Sequence, residues 1–377
     1  MGLFDIFRKI IFRREIRRWR EIGGYESTFT AFGNDIWKSD IVRGCIRPLV
    51  DFTVKAEPKC SDEKVQRVLD VRPNVYMTGR DFLQKVRTLY EVYNNAFIYI
   101  DRDDRGNVKS FYPVPYSHLE AYEYQNGLFI KFFFAATPKT AVLPWEDLAV
   151  IRKDYNRSDL VGDNNMAVIS TLELINTTRQ GQQHAIKATA NLRGILKSTK
   201  AMLAPEDVKK QRDEFVKQYM TLSNEGGVAS LDATQEFVPI KMEPVVASAE
   251  QIKEFREDIY RYFGVNDDIV MGKMDSDQIE AFYEAMIEPF LVKLSAALFA
   301  KVFTPREIGY GAYLVYEANK LQFASLDKKI QVFKEVVQYG GMTINEWRAA
   351  SNMPPLEGGD TPIMRLDAAK VSEGGNE

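Results

Sequence analysis

A chain of 377 residues is too long for one small hydrophobic core, so two or more are expected. Apolar residues make up 45% of it and aromatics 12%, which excludes wholesale disorder. Lys and Arg number 50 against 53 Asp and Glu, a formal charge of −3. That near-balance excludes a protein whose main task is gripping nucleic acid over a broad basic surface, and leaves open DNA contact through segregated faces.

Residues 3–20 read as a basic amphipathic helix, with Leu3, Phe7, Ile10 and Ile11 on one face, Arg13, Arg14, Arg17, Arg18 and Arg20 crowding its second half, and Gly23-Gly24 as its stop. Such an arm suits an acidic surface, lipid or protein, or the covering of a neighbouring subunit. It is not a secretory signal, because arginines interrupt the apolar run and no small-residue cleavage site follows. Ile6 stands where a myristoylation signal needs Ser or Thr, and no apolar run approaches the ~18 residues of a membrane span. Cys45 and Cys60 are too few for a secreted disulfide framework and are expected as reduced thiols in a cytosolic compartment.

Thr78 is placed to cap a helix carrying Phe82, Val86, Leu89 and Tyr93. Strands follow at Ala96–Ile100, from Phe111, at Phe129–Phe134 and at Leu148–Ile151, with a turn at Asp104–Asn107. This half reads as α+β with an antiparallel sheet. Beyond it helices dominate. Residues 164–190 form a long polar stretch with Ile169, Leu172, Ile175 and Ile186 as anchors. A helix from Pro205 to Gly226-Gly227, with Val208, Phe215, Tyr219 and Leu222 on its apolar stripe, lies between strand-like pieces Leu192–Lys197 and Phe237–Lys241. Ser248 with Gln251 is a capping-box pattern opening a helix that Gly264 stops. A polar segment, Met271–Ser276, leads into a helix from about Asp277 through Leu291, Leu294, Leu298 and Val302, with a bend expected at Pro289. Thr343 and Glu346 make another capping box, Pro354-Pro355 ends that helix, and residues 357–377 read as a mobile tail.

No enzymatic constellation is present in the sequence, and no cofactor is expected. A Walker loop and Gly-x-Ser-x-Gly are missing. Gly309-Tyr310-Gly311 starts a dinucleotide-type pattern inside a strand-like run but lacks its third glycine. Asp101–Gly106 resembles a calcium loop, yet Arg105 occupies a ligand position and Tyr112 replaces the bidentate Glu, so a charged hairpin turn explains it better. His118 and His184 have no metal-ligand spacing, and no metal site is expected.

The order of these features resembles the portal proteins of tailed bacteriophages, of the compact siphovirus type. The residues that carry the likeness are Met1-Gly2-Leu3-Phe4, then Asn95–Ile100 with Asp103–Gly106 and Pro113-Val114-Pro115. Phe263-Gly264-Val265 follows, with Asn266 in place of the family's proline, then Glu288-Pro289-Phe290. The most specific piece is Gly341–Arg348 followed by Asn352–Pro355 and Gly358-Gly359-Asp360.

The resemblance implies a portal-like α+β fold: an α/β wing, a helical stem, a small strand–helix–strand clip and a short C-terminal crown-side segment. Its parts would be an arm at 1–24, wing at 25–163, stem helices at 164–190 and 246–264, clip at 191–245 and tunnel loop at 265–277. A wing and channel helix with the following strand and helix would occupy 278–340, and the crown-side helix and tail 341–377. It further implies a homo-oligomeric ring of about twelve subunits at one capsid vertex. The ring would act as a conduit for DNA packaging and ejection, would not be an enzyme, and would assemble in the host cytoplasm. Its partners would be the terminase large subunit, a head–tail adaptor, capsid and scaffold proteins, and duplex DNA held weakly and without sequence preference. A conduit must let DNA slide, so a mixed-sign stem with Glu250, Lys253, Glu254, Glu257 and Asp258 suits it. The tunnel loop, Gly272, Lys273, Met274, Asp275, Ser276 and Asp277, would approach the DNA, and Glu206, Asp207, Lys209 and Lys210 would dock partners. Two rival readings are a peripheral membrane protein anchored by the basic arm and a metal-dependent nuclease.

Overall fold

The computed structural model describes residues 20–26, 36–125, 127–134, 139–190, 194–198, 210, 213, 235–239, 248–317, 326–351 and 353–365. Its elements in chain order begin with β1 (Arg20–Glu26), α1 (Asp40–Thr53), β2 (Glu57–Cys60), α2 (Glu63–Val71) and α3 (Gly79–Tyr93). Strands β3 (Asn95–Arg102), β4 (Val108–Pro113), β5 (His118–Tyr124), β6 (Gly127–Phe133), β7 (Thr140–Pro144) and β8 (Leu148–Arg152) follow. Then come α4 (Met166–Ala190), β9 (Gly194–Ser198), β10 (Gln235–Pro239), α5 (Ala249–Phe263), α6 (Asp267–Met271) and α7 (Ser276–Phe282). A π-helical turn over Tyr283–Ile287 joins α7 to α8 (Glu288–Val302), before α9 (Pro305–Gly309), β11 (Leu314–Glu317), α10 (Leu326–Val332), a second π turn (Phe333–Val337) and α11 (Ile344–Ala350). The chain divides into two compact units, one from Met1–Ile169 with Ile259–Glu377, the other from Ser170–Asp258. The α+β class expected from the sequence holds.

In the first unit, two antiparallel sheets, β1-β5-β6-β7 and β4-β3-β8, share a core. Aromatic side chains fill it: the Phe97 ring on β3 lies 5.2 Å from Phe132 on β6 and 5.4 Å from Tyr116, centroid to centroid. Helix α3 starts at Thr78 as expected, and its cap is reciprocal: Thr78 accepts from the Asp81 amide while the Asp81 carboxylate takes the Thr78 N–H. Phe82, Val86 and Leu89 on its inner face are buried. Leu291, Leu294, Leu298 and Val302 of α8 are buried too, and Ser295 ties this helix to β11 by accepting the Tyr316 N–H at 2.8 Å. Strand β11 pairs antiparallel with β2, Leu314 opposite Cys60. Cys45 and Cys60 are buried free thiols, and burial pushes Cys45 up to about 12.

Close approach of backbone to backbone fixes the exit from β8. Gly162 exchanges hydrogen bonds with the Asn95 side chain, donating to Oδ1 at 2.7 Å and accepting from Nδ2 at 3.1 Å. A Cβ there would sit 2.0 Å from the Lys153 carbonyl oxygen and 3.1 Å from that of Asn94, neither able to retreat. Gly162→Ala is expected to cost about 1–3 kcal/mol, the range for overpacking, read as an earlier urea unfolding midpoint.

The residues most specific to the resemblance form a small C-terminal module. Thr343 and Glu346 complete the expected capping box, the Trp347 ring packs on Phe333 at 4.9 Å, and the Arg348 Nε–H donates to the Pro354 carbonyl at 2.7 Å. The Asn345 side chain accepts the Leu356 N–H at 2.7 Å and donates to Asp360 Oδ1 at 2.8 Å. A Cβ on Gly359 would meet Asn345 Oδ1 at 2.4 Å, so the neighbouring turn needs glycine.

Several expectations are corrected. Arg20, Gly23 and Gly24 lie in β1, which pairs with β5 and is irregular between Glu21 and Gly23; the glycines accommodate that bulge and do not stop a helix. Residues 1–19 lie outside the described residues. The expected mobile tail is ordered over its first part, since Tyr339 bridges Met364 and the Arg365 N–H donates to the Gln338 carbonyl at 2.9 Å; residues 366–377 lie outside. Gly309 ends a helix and Gly311 (φ 88°) sits in the following turn, not in a strand. Sequence reading also missed β1, β2, β5, β7, α1, α2 and α9.

In the second unit, β9 and β10 pair antiparallel, with Phe237 opposite Leu196, close to both expected strands. The helix expected between them lies outside the described residues apart from Lys210 and Asp213, which are helical and exposed. Leu172 and Ile175 of α4 are buried.

Candidate functional site

The segment from the end of α5 to the start of α8 carries a one-sided exposed charge. Its geometry follows from caps. Ser248 and Gln251 form the expected reciprocal cap of α5, and at the other end Gly264 adopts φ 68°, with the Val265 N–H donating to the Tyr260 carbonyl at 2.9 Å. Gly264 is also pressed against Met286, whose Cε would lie 2.4 Å from any Cβ there. Asn266 then caps α6, its Oδ1 accepting the Ile269 N–H at 2.9 Å, while Asp267 and Asp268 sit at the positive end of the short helix. Where the resemblance implies a proline, the asparagine therefore does capping work that proline lacks the side chain to do.

Gly272, at φ 68°, ends α6, and Asp275 caps α7: its Oδ1 accepts the Gln278 N–H at 2.8 Å and its own N–H donates to Gln278 Oε1 at 3.0 Å. The irregular stretch is thus shorter than the expected loop at 265–277. Gly272, Lys273 and Met274 lie between helices, Asp275 is a cap, and Ser276 and Asp277 belong to α7. Lys273, Asp275 and Asp277 are exposed, and Met274 and Ser276 half-buried.

The charge of this segment extends beyond the expected loop residues. Between Arg261 and Lys293 the sequence carries one base, Lys273, against Asp267, Asp268, Asp275, Asp277, Glu280, Glu284 and Glu288. Asp277, Glu280 and Glu284 recur three and four residues apart and are exposed, whereas Phe282, Tyr283 and Ile287 are buried. Phe282 meets Phe52 of α1 edge-on at 5.4 Å. The signal, a run of acids at helical spacing, is present in the sequence and runs across the boundary between the polar loop and the helix that follows.

The other expected sites are placed as follows. On α5, Glu250, Lys253, Glu254 and Asp258 are exposed and Glu257 half-buried, with Lys253 Nζ 3.7 Å from Glu257. Lys precedes Glu in that pair, the weaker order for an i,i+4 contact. Glu206, Asp207 and Lys209 lie outside the described residues. The hairpin at Asp103 uses its own carboxylate, which accepts from the amides of Arg105 and Asn107 and from Asn107 Nδ2. His118 Nε2 lies 3.5 Å from Glu120, which also accepts from Lys131 at 3.1 Å on the β5–β6 face. Among the described residues no group of three His, Cys, Asp or Glu is arranged to hold a metal, and no helix is long and apolar enough to cross a membrane.

Known proteins match this arrangement over most of its length. The phage portal protein family matches residues 50–352. A probable portal protein of Lactococcus phage p2 is 26% identical over 278 residues, covering 71% of this chain and 69% of its own. The portal protein of Enterobacteria phage HK97 is 21% identical over 316 residues, covering 81% and 74%. Among solved structures, a chain from the neck of an empty gene transfer agent particle, computed with C6 symmetry, superposes with a TM-score of 0.58 at 16% identity, covering 86% of this chain and 96% of that one. An HK97-family phage portal protein from Corynebacterium diphtheriae gives 0.53 at 13% identity, covering 76% and 94%. A family match that spans residues 50–352, on a fold shared with an HK97-family portal structure, places this chain in the phage portal protein family.

Proposed function

We propose that copies of this chain, about twelve, close into a ring at one capsid vertex and that α6 and α7 line its bore. The observation that carries the channel assignment is the acidic exposed run from Asp267 to Glu284, relieved only by Lys273. Phosphates passing such a wall meet like charge within a Debye length of about 8–10 Å, so the duplex is kept centred and mobile. Lys273 beside Asp275 leaves local, easily broken contacts. In this reading residues 25–163 with the later helices form the wing, α4 and α5 the stem, and 191–245 the clip. The clip meets the terminase large subunit during packaging and a head–tail adaptor afterwards, through Glu206, Asp207, Lys209 and Lys210. Capsid and scaffold proteins surround the wing, and assembly takes place in the host cytoplasm before the ring becomes part of the virion.

Electron microscopy of the purified full chain tests the reading. The expected images are rings with a central hole wide enough for a duplex. A chain that stays monomeric under all assembly conditions, or that floats with liposomes through residues 1–22, would overturn it. Deleting 195–240 should leave rings but abolish packaging; intact packaging would remove the clip from the docking role.

A further inference from the structure

The most deeply buried charges in the first unit converge on the root of α7. Arg87 and Glu91 of α3 are each only 1% exposed and pair at 2.8 Å, and Lys153, just past β8, reaches the other Glu91 oxygen at 2.8 Å. Arg87 does a second thing: its Nη1–H donates to the Met286 carbonyl at 3.2 Å, and its guanidinium lies over the Phe290 ring at 4.4 Å. Met286 lies in the π turn between α7 and α8.

That turn has a local cause. Pro289 offers no N–H, so the Ala285 carbonyl has no α-helical donor, and the ladder widens until the Glu288 N–H bonds to Tyr283. A π turn inserts one residue into the ladder, so everything before it is rotated by about 100° relative to an unbroken α-helix. The inserted residue decides which side of α7 is buried. With it, Phe282 and Tyr283 point inward and Asp277, Glu280 and Glu284 outward. Without it, Ala281 takes the place of Glu280, Glu280 takes the half-buried place of Ile279, and Ile279 takes the exposed place of Gln278.

We propose that Arg87 is the positioning residue of the channel wall: clamped by Glu91, it captures the Met286 carbonyl and so fixes the rotational phase in which α7 presents its carboxylates. The fork of the guanidinium is what the task requires, since one donor engages Glu91 and another the π turn; a lysine at the same place carries the charge but lacks the two-pronged geometry. Gly264 supports the arrangement from the far side by leaving room for the Met286 side chain. The proposal rests on the portal reading only in calling this wall a channel.

Maleimide labelling of full-length protein tests the phase directly, because the two native thiols are buried and give little background. Single cysteines are introduced by Glu280→Cys or Ile279→Cys, each with and without Arg87→Lys. The expected result is a several-fold slower reaction at 280 and a several-fold faster one at 279 when Arg87 is replaced. Unchanged rates at both positions in folded protein overturn the assignment. Should Arg87→Lys fail to fold, the paired replacement Arg87→Met with Glu91→Leu, which removes both members of the buried pair, is expected to shift both rates in the same directions, and unchanged rates there overturn the assignment equally. Packaging by the same variants separates the two claims: altered rates with full packaging keep Arg87 as the phase-setting residue and remove α7 from the channel.

Discussion

Glu91→Gln is expected to lower the stability of the first unit by about 3–5 kcal/mol, because it removes the charge that compensates Arg87 in a site closed to water. The neutral amide still fits the space, so the loss is electrostatic. Arg87 cannot shed its proton to escape, although burial pulls its pKa down against the pull of Glu91. Asn165 braces the same point, its Nδ2 donating to the backbone carbonyls of Glu91 at 3.1 Å and Val92 at 2.8 Å, while the Tyr262 hydroxyl donates to its Oδ1 at 2.6 Å. Urea unfolding followed by tryptophan fluorescence measures the effect, and a midpoint within error of the parent would contradict it. The double replacement Arg87→Met with Glu91→Leu should cost less than Glu91→Gln alone, since Arg87 is no longer left as a fully buried orphan and Lys153, the charge that remains, is partly exposed. Acid should reproduce the defect. Burial pushes the Glu91 carboxyl up, but the charges and hydrogen bonds of Arg87 and Lys153 outweigh it and hold the pKa below the usual carboxylate range. A carboxylate lowered by folding stabilises fully above its unfolded pKa of about 4.3 and loses that contribution as pH falls through the folded value. The parent should therefore weaken steeply below about pH 4, and the Gln variant should lack this component of the acid response.

The second large effect concerns the wall itself. Replacing Asp277, Glu280 and Glu284 with Lys changes each subunit by six charges, from three negative to three positive. Such a ring should retain duplex DNA at low salt, with affinity falling by about 0.9 log units per log of salt for each phosphate engaged. Packaging should drop by about tenfold or more, because each step along the duplex then breaks charge-assisted contacts. A filter-binding titration against salt and a DNA-protection assay on assembled heads measure the two halves. Serine at the same positions removes the repulsion without adding attraction and should give a milder defect. Full packaging by the lysine ring would remove α7 from the bore.

Local features of this fold were legible in the sequence wherever a single segment decides the outcome. The caps at Thr78, Ser248 and Thr343, the stop at Gly264 and the disturbance at Pro289 all follow from residues within one turn of each other. What escaped depends on partners distant in sequence. Strand β2 carries Pro58 and is only four residues long, too short for its alternation to mark a strand; it becomes one because residues 314–317 lie beside it. The i,i+4 spacing of Arg87 and Glu91 carries no sign of burial, and only the arrival of Lys153, Phe290 and Met286 turns them into a buried network. The acidic run on α7 was readable in type, whereas its outward phase depends on the π turn, which leaves only the proline as a trace.

The pairing of β2 with β11 has a consequence for synthesis. Lys59 and Glu317, joined across that ladder at 2.7 Å, are 258 residues apart in the chain. A ribosome adding about 5–20 residues per second needs roughly 13–50 seconds to deliver the second strand after the first has emerged. For most of that interval α3 has been made while α8, whose Phe290 ring packs on Tyr90, has not, and the intervening second unit emerges first. The nascent polypeptide is thus a natural client for holding chaperones, and slowing translation after residue 258 should raise its demand for them.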